Sequence, residues 1–162
     1  MRYFYDCEFI EDGLTIELVS IGIAAEDGRE LYLVSSEFDP SRAGAWVRRN
    51  VLTQLPSPAS PAWRTREQIR DAVLAFCTAH TDGSPTQLWA WVAAYDHVVL
   101  CQLWGSMPDL PRALPRFTRE LKQHWEDAGS PPLPAVPDGA HDALVDARHN
   151  LAKFRAVAQH HP

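Results

Sequence analysis

Two acidic residues stand two positions apart in a segment that is otherwise apolar. Asp6 and Glu8 lie within the run 3–9 (Tyr-Phe-Tyr-Asp-Cys-Glu-Phe), and because side chains alternate along a β-strand, both carboxylates point to the same face. Adjacent carboxylates raise each other's pKa unless a positive charge lies between them. The pair therefore predicts either a divalent-cation site of hard oxygen ligands on a central strand or the solvated acidic face of an edge strand.

Three further ionisable residues follow in the second half of the chain. Asp96 comes just after the apolar run 88–92. Ligands bind at the carboxyl ends of strands in α/β sheets, but aspartate is also a common helix N-cap. His141 ends a proline-rich loop, and Asp146 lies one turn into the predicted last helix, for which Asp142 is a suitable N-cap. Taken singly, each of these residues also has an ordinary role as cap, loop residue or solvated acid.

Three β-strands are predicted in the first part of the chain. The apolar runs 2–9, 15–24 and 31–35 are separated by two Glu-Asp-Gly segments, and Asp-Gly pairs between apolar runs are hairpin signals. These segments predict an antiparallel meander with the paired acids on its first strand.

Helical patterns dominate the remainder, with one further strand among them. Asp39-Pro40 provides an N-cap and a first-turn proline, and Thr65 with Gln68 matches a capping box. Helices are predicted from Asp39 towards Leu52, from Thr65, around 99–104, over 115–128 and over 142–159, with a strand at 88–92 and stiff proline-rich loops at 53–63 and 129–139. The order predicts a mixed α/β layer structure around one sheet.

Composition limits the class of protein. The chain has 162 residues, of which 46% are hydrophobic and 22% charged, values typical of a single globular domain. It has no apolar stretch of about 18 residues, which predicts no transmembrane helix, and its N-terminal acids do not suit a signal peptide. Three cysteines without paired spacing favour a reducing, cytoplasmic location. A net charge of −6 argues against binding nucleic acid by bulk electrostatics, but not against holding a phosphodiester through metal ions.

The order of these acids and the histidine resembles the motif set of the DEDDh 3′-5′ exonucleases. The matching segments are 5–9 (Tyr-Asp-Cys-Glu-Phe), 95–96 (Tyr-Asp) and 141–147 (His-Asp-Ala-Leu-Val-Asp-Ala). Within that superfamily the chain is similar to the RNase T-like branch, and there to the small actinobacterial polyadenylate-specific 3′-exoribonucleases. The resemblance spans the whole chain and implies a single DEDDh exonuclease domain over residues 1–162. The implied fold is α/β, a ribonuclease H-like mixed sheet of three antiparallel strands followed by alternating helices and strands, flanked by helices.

The resemblance also implies a reaction. Two divalent cations, Mg²⁺ or Mn²⁺, would be bound by the four motif acids, namely Asp6, Glu8, Asp96 and Asp146. Such ions neutralise a phosphodiester and lower the pKa of bound water. His141 would act as the general base, since an imidazole with the ordinary pKa of about 6.5 suits proton transfer at neutral pH. The products would be nucleoside 5′-monophosphates, removed from the 3′ end of single-stranded RNA or of 3′ overhangs, with a preference for adenine-rich ends.

Substrate contacts are predicted from side chains near the acids. Aromatic side chains stack on the bases of single strands and apolar ones pack against them, and the candidates are Phe9, Ile10, Leu14, Trp91 and Tyr95. Arginines within 48–70 and basic residues within 112–122 are candidates for secondary phosphate contacts or are simply solvated helix faces. The resemblance implies a homodimer, for whose interface the candidates are Trp46, Trp63 and Trp104.

Two other functions use the same residues. A DNA-directed exonuclease of the proofreading or repair type would need the same acids and histidine, although the chain shows no obvious polymerase-binding tail. A catalytically silent nucleotide-binding module would retain the fold, but such a module would be expected to have lost an acid or the histidine, and none is lost. A mononuclear zinc hydrolase is disfavoured, because no second histidine or cysteine is placed as a ligand.

Overall fold

A six-stranded mixed sheet forms the central layer of the computed structural model, which describes residues 1–160. Its strand order is β4-β3-β2-β1-β5-β6. The strands are β1 (Arg2–Glu11), β2 (Ile16–Ala25), β3 (Glu30–Ser35), β4 (Trp63–Arg64), β5 (Gln87–Ala90) and β6 (Arg119–Glu120). Strands β1 to β3 form the predicted antiparallel meander, whereas β4 is parallel to β3, β5 to β1 and β6 to β5. The predicted α/β class is confirmed, and the sheet is compatible with a ribonuclease H-like fold.

Five α-helices accompany the sheet within the described residues 1–160. They are α1 (Ala45–Asn50), α2 (Arg66–Thr78), α3 (Ala94–Gln102), α4 (Leu121–Asp127) and α5 (Ala143–His160). The capping box predicted at Thr65 is present, with Gln68 as its partner. No helix in this part of the chain is both long and apolar enough to cross a membrane. Residues 161–162, the end of the predicted domain, lie outside the described residues.

Two helices are shorter than predicted, and the helix predicted around 99–104 is α3, which begins at Ala94 and ends at Gln102. The segment from Asp39 to Leu52 is a 3₁₀ turn at Pro40–Arg42 followed by the short α1, because Ala43 and Gly44 between them are extended. The segment 115–128 becomes helical only at Leu121, because the two residues before it join the sheet as β6. A two-residue strand is too short to show the alternation that identifies strands in a sequence.

The core is divided between the two faces of the sheet. On one face, Tyr3, Tyr5 and Cys7 of β1 pack with the buried residues of α2 and α3. On the other face, Phe4 packs against Trp89 and against Phe154 of α5, with ring centres 6.4 and 5.0 Å away. Helix α5 thus covers the face of β1 to which Asp6 and Glu8 belong by alternation.

Gly22 allows α5 to approach the sheet closely. It is paired with Asp6 across β1 and β2, and a Cβ atom added at this position would lie closer than 3.0 Å to the backbone of Ala143 and Leu144. The first turn of α5 therefore rests directly on the strand beside Asp6. Only glycine leaves room for that contact.

We expect Gly22→Ala to lower stability substantially, because the new methyl group would meet backbone that cannot move without shifting α5. Overpacking of this kind costs about 1–3 kcal/mol, which corresponds to a melting temperature lower by roughly 2–12 °C. Thermal unfolding followed by circular dichroism checks this. Gly44→Ala is the matched control, since Gly44 has φ −65° and open space around it. Equal melting temperatures for the two variants would contradict the close approach.

Candidate active site

The five predicted motif residues line one cleft of about 490 Å³. Two come from β1, one from α3, one from the loop before α5 and one from α5 itself: Asp6, Glu8, Asp96, His141 and Asp146. Ligand atoms of Glu8, His141 and Asp146 lie within 4.8 Å of one another. Residues up to 140 positions apart in the chain are thus brought together. A larger cavity of about 690 Å³, near the start of β2, includes none of them.

Asp96 is held by the backbone of the strand that carries the first two acids. Its Oδ1 accepts a hydrogen bond of 2.8 Å from the N–H of Cys7, between Asp6 and Glu8. Strand β5 pairs with β1 only along Arg2–Phe4. Beyond that pairing, the Asp96 carboxylate accepts the hydrogen bond of the Cys7 N–H. Asp96 is therefore not the cap of α3, whose N-cap is Ala93.

Glu120 fixes the start of α3 and was not identified from the sequence. Its two carboxylate oxygens accept hydrogen bonds of 2.8 Å each from the N–H groups of Val92 and Ala93. Val92 has φ 56°, in the left-handed region that a β-branched residue rarely adopts. The carboxylate thus stabilises a strained turn that orients Asp96. No local pattern links β6 to this turn, which lies 27 and 28 residues earlier.

His141 and Asp146 are connected through the backbone. The N–H of His141 donates to Asp146 Oδ2 at 2.8 Å, and His141 has φ 73°. The side-chain amide of Gln54 donates to the carbonyl of Ala140 at 2.7 Å. This bond ties the histidine loop, the segment before α5 that carries His141, to a 3₁₀ turn after α1 (Leu52–Gln54). The His141 ring lies edge-on to Trp46, with ring centres 4.8 Å apart.

Asp142 is the N-cap of α5, as its type and position predicted. Its Oδ1 accepts hydrogen bonds from the N–H groups of Leu144 and Val145 at 3.0 and 3.1 Å. Asp146, one turn later, lines the cleft, whereas Asp142 is not among the lining residues. The cap and the cleft acid are thus separate residues.

Burial and the charges of neighbouring acids raise the pKa of three carboxyl groups of the cleft. Burial, followed by the charges of Asp96, Glu8 and Asp146, holds the pKa of Asp6 well above its ordinary value. Burial and the neighbouring acids raise the pKa of Glu8 to about 8. Burial raises the pKa of Asp96 to about 6, although the hydrogen bond from Cys7 opposes the shift.

This donor set suits divalent cations. Carboxylate oxygens are the hard ligands that Mg²⁺ and Mn²⁺ prefer, and a bound cation would offset the repulsion between neighbouring carboxylates. The cluster of Glu8, His141 and Asp146 includes both oxygen and nitrogen donors.

Lys153 lies in the same cleft and was missed in the sequence analysis. Its Nζ is 4.4 Å from the ring centre of Trp91 and donates to Asn150 Oδ1 at 3.2 Å. Burial lowers the pKa of Lys153, while the negative charges of Asp146 and Asp6 act in the opposite direction. A sequence signal for this lysine was available. Helical spacing (i, i+4, i+7) places Asp146, Asn150 and Lys153 on one face of the last helix.

The predicted substrate-binding residues are distributed over several places. Phe9 and Trp91 line the cleft, and Tyr95 stacks on Phe9 with ring centres 5.7 Å apart and planes at 9°. Leu14 is 95% exposed in the β1–β2 turn and borders a separate depression beside Tyr95. Ile10 is 1% exposed and belongs to a small core cluster, so its side chain is not on the cleft surface.

The remaining candidates also have definite places. Trp46, considered for a subunit interface, lines the cleft. Trp63 stacks on Phe38 at 6.3 Å, and Trp104 packs against the main core. Within residues 1–160 the cleft lining includes no arginine, and therefore none of the arginines considered as phosphate contacts.

Comparison with known proteins identifies the family. The model of the 3′-5′ exoribonuclease Rv2179c-like domain matches residues 1–158. The chain belongs to this family. Among curated relatives, the 3′-5′ exoribonucleases MT2234.1 and Rv2179c of two Mycobacterium tuberculosis strains (CDC 1551 / Oshkosh and ATCC 25618 / H37Rv) are each 63% identical over 158 residues. The alignment covers 97% of this chain and 93% of each relative. The match to the Rv2179c-like family thus spans every motif residue of the cleft.

The raised pKa of Glu8 predicts a pH-dependent stability. The folded protein keeps the proton of Glu8 up to about pH 8, whereas the unfolded chain releases it near 4.5. Stability is therefore fully present below the lower value and is lost as pH rises through this window. We expect the metal-free protein to melt at lower temperature at pH 8 than at pH 5, and Glu8→Gln to reduce this loss. At pH 8 the melting temperature of Glu8→Gln should exceed that of the parent, by about 2–4 °C for each kcal/mol of unfolding free energy recovered.

Thermal scans of chelator-treated protein at both pH values measure this effect. Glu126→Gln is the matched control, because Glu126 is exposed and, within residues 1–160, its only ion pair is with Lys122 at 3.9 Å. The electrostatic account fails if both variants keep the pH dependence of the parent.

Proposed function

We propose that this chain is a metal-dependent 3′-5′ exoribonuclease of the DEDDh superfamily. It removes nucleoside 5′-monophosphates from the 3′ end of single-stranded RNA or of RNA with a 3′ overhang. The observation that carries the proposal is the convergence of Asp6, Glu8, Asp96, His141 and Asp146 in one cleft. The names of the two relatives, both 3′-5′ exoribonucleases, support RNA as the substrate and the 3′ end as the site of attack.

The acids of the cleft hold two divalent cations, Mg²⁺ or Mn²⁺. The residues proposed as ligands are Asp6, Glu8, Asp96 and Asp146. When bound, the cations supply charge neutralisation at the phosphodiester and acidify the attacking water. One oxygen of Asp96 and one of Asp146 are already occupied by backbone N–H groups, which orients the other oxygen of each carboxylate for ligation.

His141 is the general base that accepts the proton of the attacking water. Its exposed ring lies at the cleft wall, and its Nδ1 and Nε2 are the ring atoms able to receive a proton. Trp46 packs edge-on against the imidazole, and the backbone bond to Asp146 restrains the loop. Both contacts limit the orientations of the base before substrate arrives.

Aromatic side chains position the terminal nucleotide. Phe9 and Trp91 line the cleft beside the acids, and Tyr95, 56% exposed, stacks in parallel on Phe9. Base stacking on aromatic rings contributes about 1–3 kcal/mol per base, and modest base preferences come from stacking strength. Adenine has a large stacking surface, which supports the proposed preference for adenine-rich ends. Leu14 remains a prediction as a packing residue, whereas the side chain of Ile10 is buried in the core.

A homodimer and a cytoplasmic location complete the proposal. Both rest on the resemblance and on the sequence, with Trp63 and Trp104 as the interface candidates that do not line the cleft. Cys7 and Cys77 are buried free thiols and Cys101 is a partly buried one, an arrangement that suits a reducing compartment.

A time course on two 5′-labelled single strands, an adenine-rich RNA and its DNA equivalent, tests the activity with Mg²⁺ or Mn²⁺. We expect an RNA ladder that shortens from the 3′ end, abolished by EDTA and by Asp6→Ala. His141→Ala should slow cleavage by about 10²–10⁴-fold, the contribution of general base catalysis. The matched controls are Asp138→Ala and His160→Ala, both at exposed positions.

Each alternative function has its own outcome in this assay. Faster cleavage of DNA than of RNA would favour the proofreading or repair type. Binding of RNA without cleavage, in the presence of metal, would instead support the catalytically silent module.

The stacking surface generates a separate prediction. We expect Phe9→Ala to raise KM for adenine-rich RNA by at least about fivefold, consistent with the loss of one stacked base at the lower end of its range. Phe117→Ala, at an exposed phenylalanine outside the cleft lining, is the matched control and should leave KM unchanged. Initial rates on adenine-rich and uridine-rich strands would measure the change in KM and any change in base preference. An equal KM for Phe9→Ala and the parent would remove Phe9 from the binding surface.

A further inference from the structure

We propose that Lys153 binds a phosphate group of the RNA and so positions the 3′ end in the cleft. The inference rests on the proposed function and adds a substrate-binding residue that belongs to none of the matched motifs. Of the residues that line the cleft within the described chain, Lys153 is the only lysine or arginine.

The ammonium group is held in place from two sides. Asn150 donates through Nδ2 to the carbonyl of Tyr5 at 3.2 Å and accepts from Lys153 Nζ through Oδ1 at 3.2 Å. The face of Trp91 lies 4.4 Å from Nζ, within the range of a cation–π contact. The lysine is therefore anchored to β1, beside Asp6. Ordering a flexible lysine in advance lowers the entropic cost of binding a ligand.

Lys153 retains the capacity to bind an anion. Within residues 1–160 it forms no ion pair shorter than 4.0 Å, although Asp6 and Asp146 are close enough to influence it electrostatically. An ammonium group has three donors, and one of them is used by Asn150. By contrast Lys122, the other lysine of the chain, is exposed and faces Glu126 at 3.9 Å.

The charge balance of the cleft gives this lysine a role. The four proposed ligand carboxylates and two divalent cations would cancel, and Glu11 adds a further acid to the cleft lining, so the loaded site has no excess positive charge for a phosphodiester. Lys153 supplies a positive charge beside Trp91. Because Trp91 is a proposed stacking residue, a base and a phosphate would be bound side by side there. A different role, as a counter-ion that only reduces repulsion between the acids, predicts no effect on phosphate binding.

The salt dependence of RNA binding separates the two roles. The dissociation constant of a labelled adenine-rich RNA is measured by fluorescence anisotropy, at fixed Mg²⁺ and from about 50 to 200 mM KCl. All proteins carry His141→Ala, so that hydrolysis is slow. We expect Lys153→Met to weaken binding by about tenfold and to reduce the slope of log Kd against log salt by about 0.7, the value for one phosphate contact on a single strand.

Three further variants make the test specific. Lys153→Arg should retain the slope, because it keeps the charge. Lys122→Met should match the parent, because it removes a lysine outside the cleft. Lys153→Gln, which keeps a polar group for Asn150, replaces Lys153→Met if the latter fails to fold in a thermal scan. An unchanged slope in the folded Lys153→Met or Lys153→Gln protein would overturn the proposal and leave only the counter-ion role.

Failure of the proposed function would be visible separately. If the parent with intact His141 leaves RNA uncut but Lys153→Met still changes the slope, phosphate binding holds and the nuclease assignment fails. If the parent cuts RNA and the slope is unchanged, the nuclease assignment holds and the role of Lys153 fails. In the active enzyme we expect Lys153→Met to raise KM by a larger factor than it lowers kcat.

Discussion

Repulsion between carboxylates that have been withdrawn from water is the constraint on which this structure depends. Asp6, Glu8 and Asp96 have raised pKa values because each is desolvated and faces other acids. A cluster of this kind costs stability in the metal-free protein, so the surrounding fold has to supply the energy that holds it together. The cores on both faces of the sheet and the helices that cover them provide that support.

Two of the acids are held by backbone N–H groups, and for Asp96 this hydrogen bond favours the ionised carboxylate. The main-chain N–H of Cys7 binds Asp96, and that of His141 binds Asp146. The first motif thus fixes the position of the second, the third motif is closed by a bond within itself, and the remaining carboxylate oxygens are left for a ligand. Glu120 and Gln54 extend the same principle to the turn before α3 and to the histidine loop. Two of the residues held in this way, Val92 and His141, have positive φ, as is common where local strain supports a functional geometry.

The cleft combines two kinds of chemistry. Acids and His141 lie in the same lining as aromatic rings and Lys153. A nucleotide has a matching asymmetry, since its phosphate is anionic and its base is a flat apolar ring. The proposed catalytic chemistry and the proposed binding of the 3′ end therefore occupy adjacent parts of one cleft. This division explains how a protein of net charge −6 could act on a polyanion without a broad basic surface.

The sequence by itself determined the features that follow from local rules. Alternation placed Asp6 and Glu8 on one face, the Asp-Gly turns defined the meander, and residue type identified Thr65 and Asp142 as helix caps. The spacing and order of the acids and the histidine also indicated the candidate site before any contact was known.

Tertiary structure alone decided how these parts meet. It showed Asp96 bound to the strand rather than capping its helix, Lys153 and Trp46 inside the cleft, and Ile10 in the core. It also revealed the close approach at Gly22, where strand and helix residues about 120 positions apart are in contact. The two-residue strands β4 and β6 exist only because longer neighbours offer them hydrogen bonds. Such contacts join distant parts of the chain, and no local periodicity or cap records them.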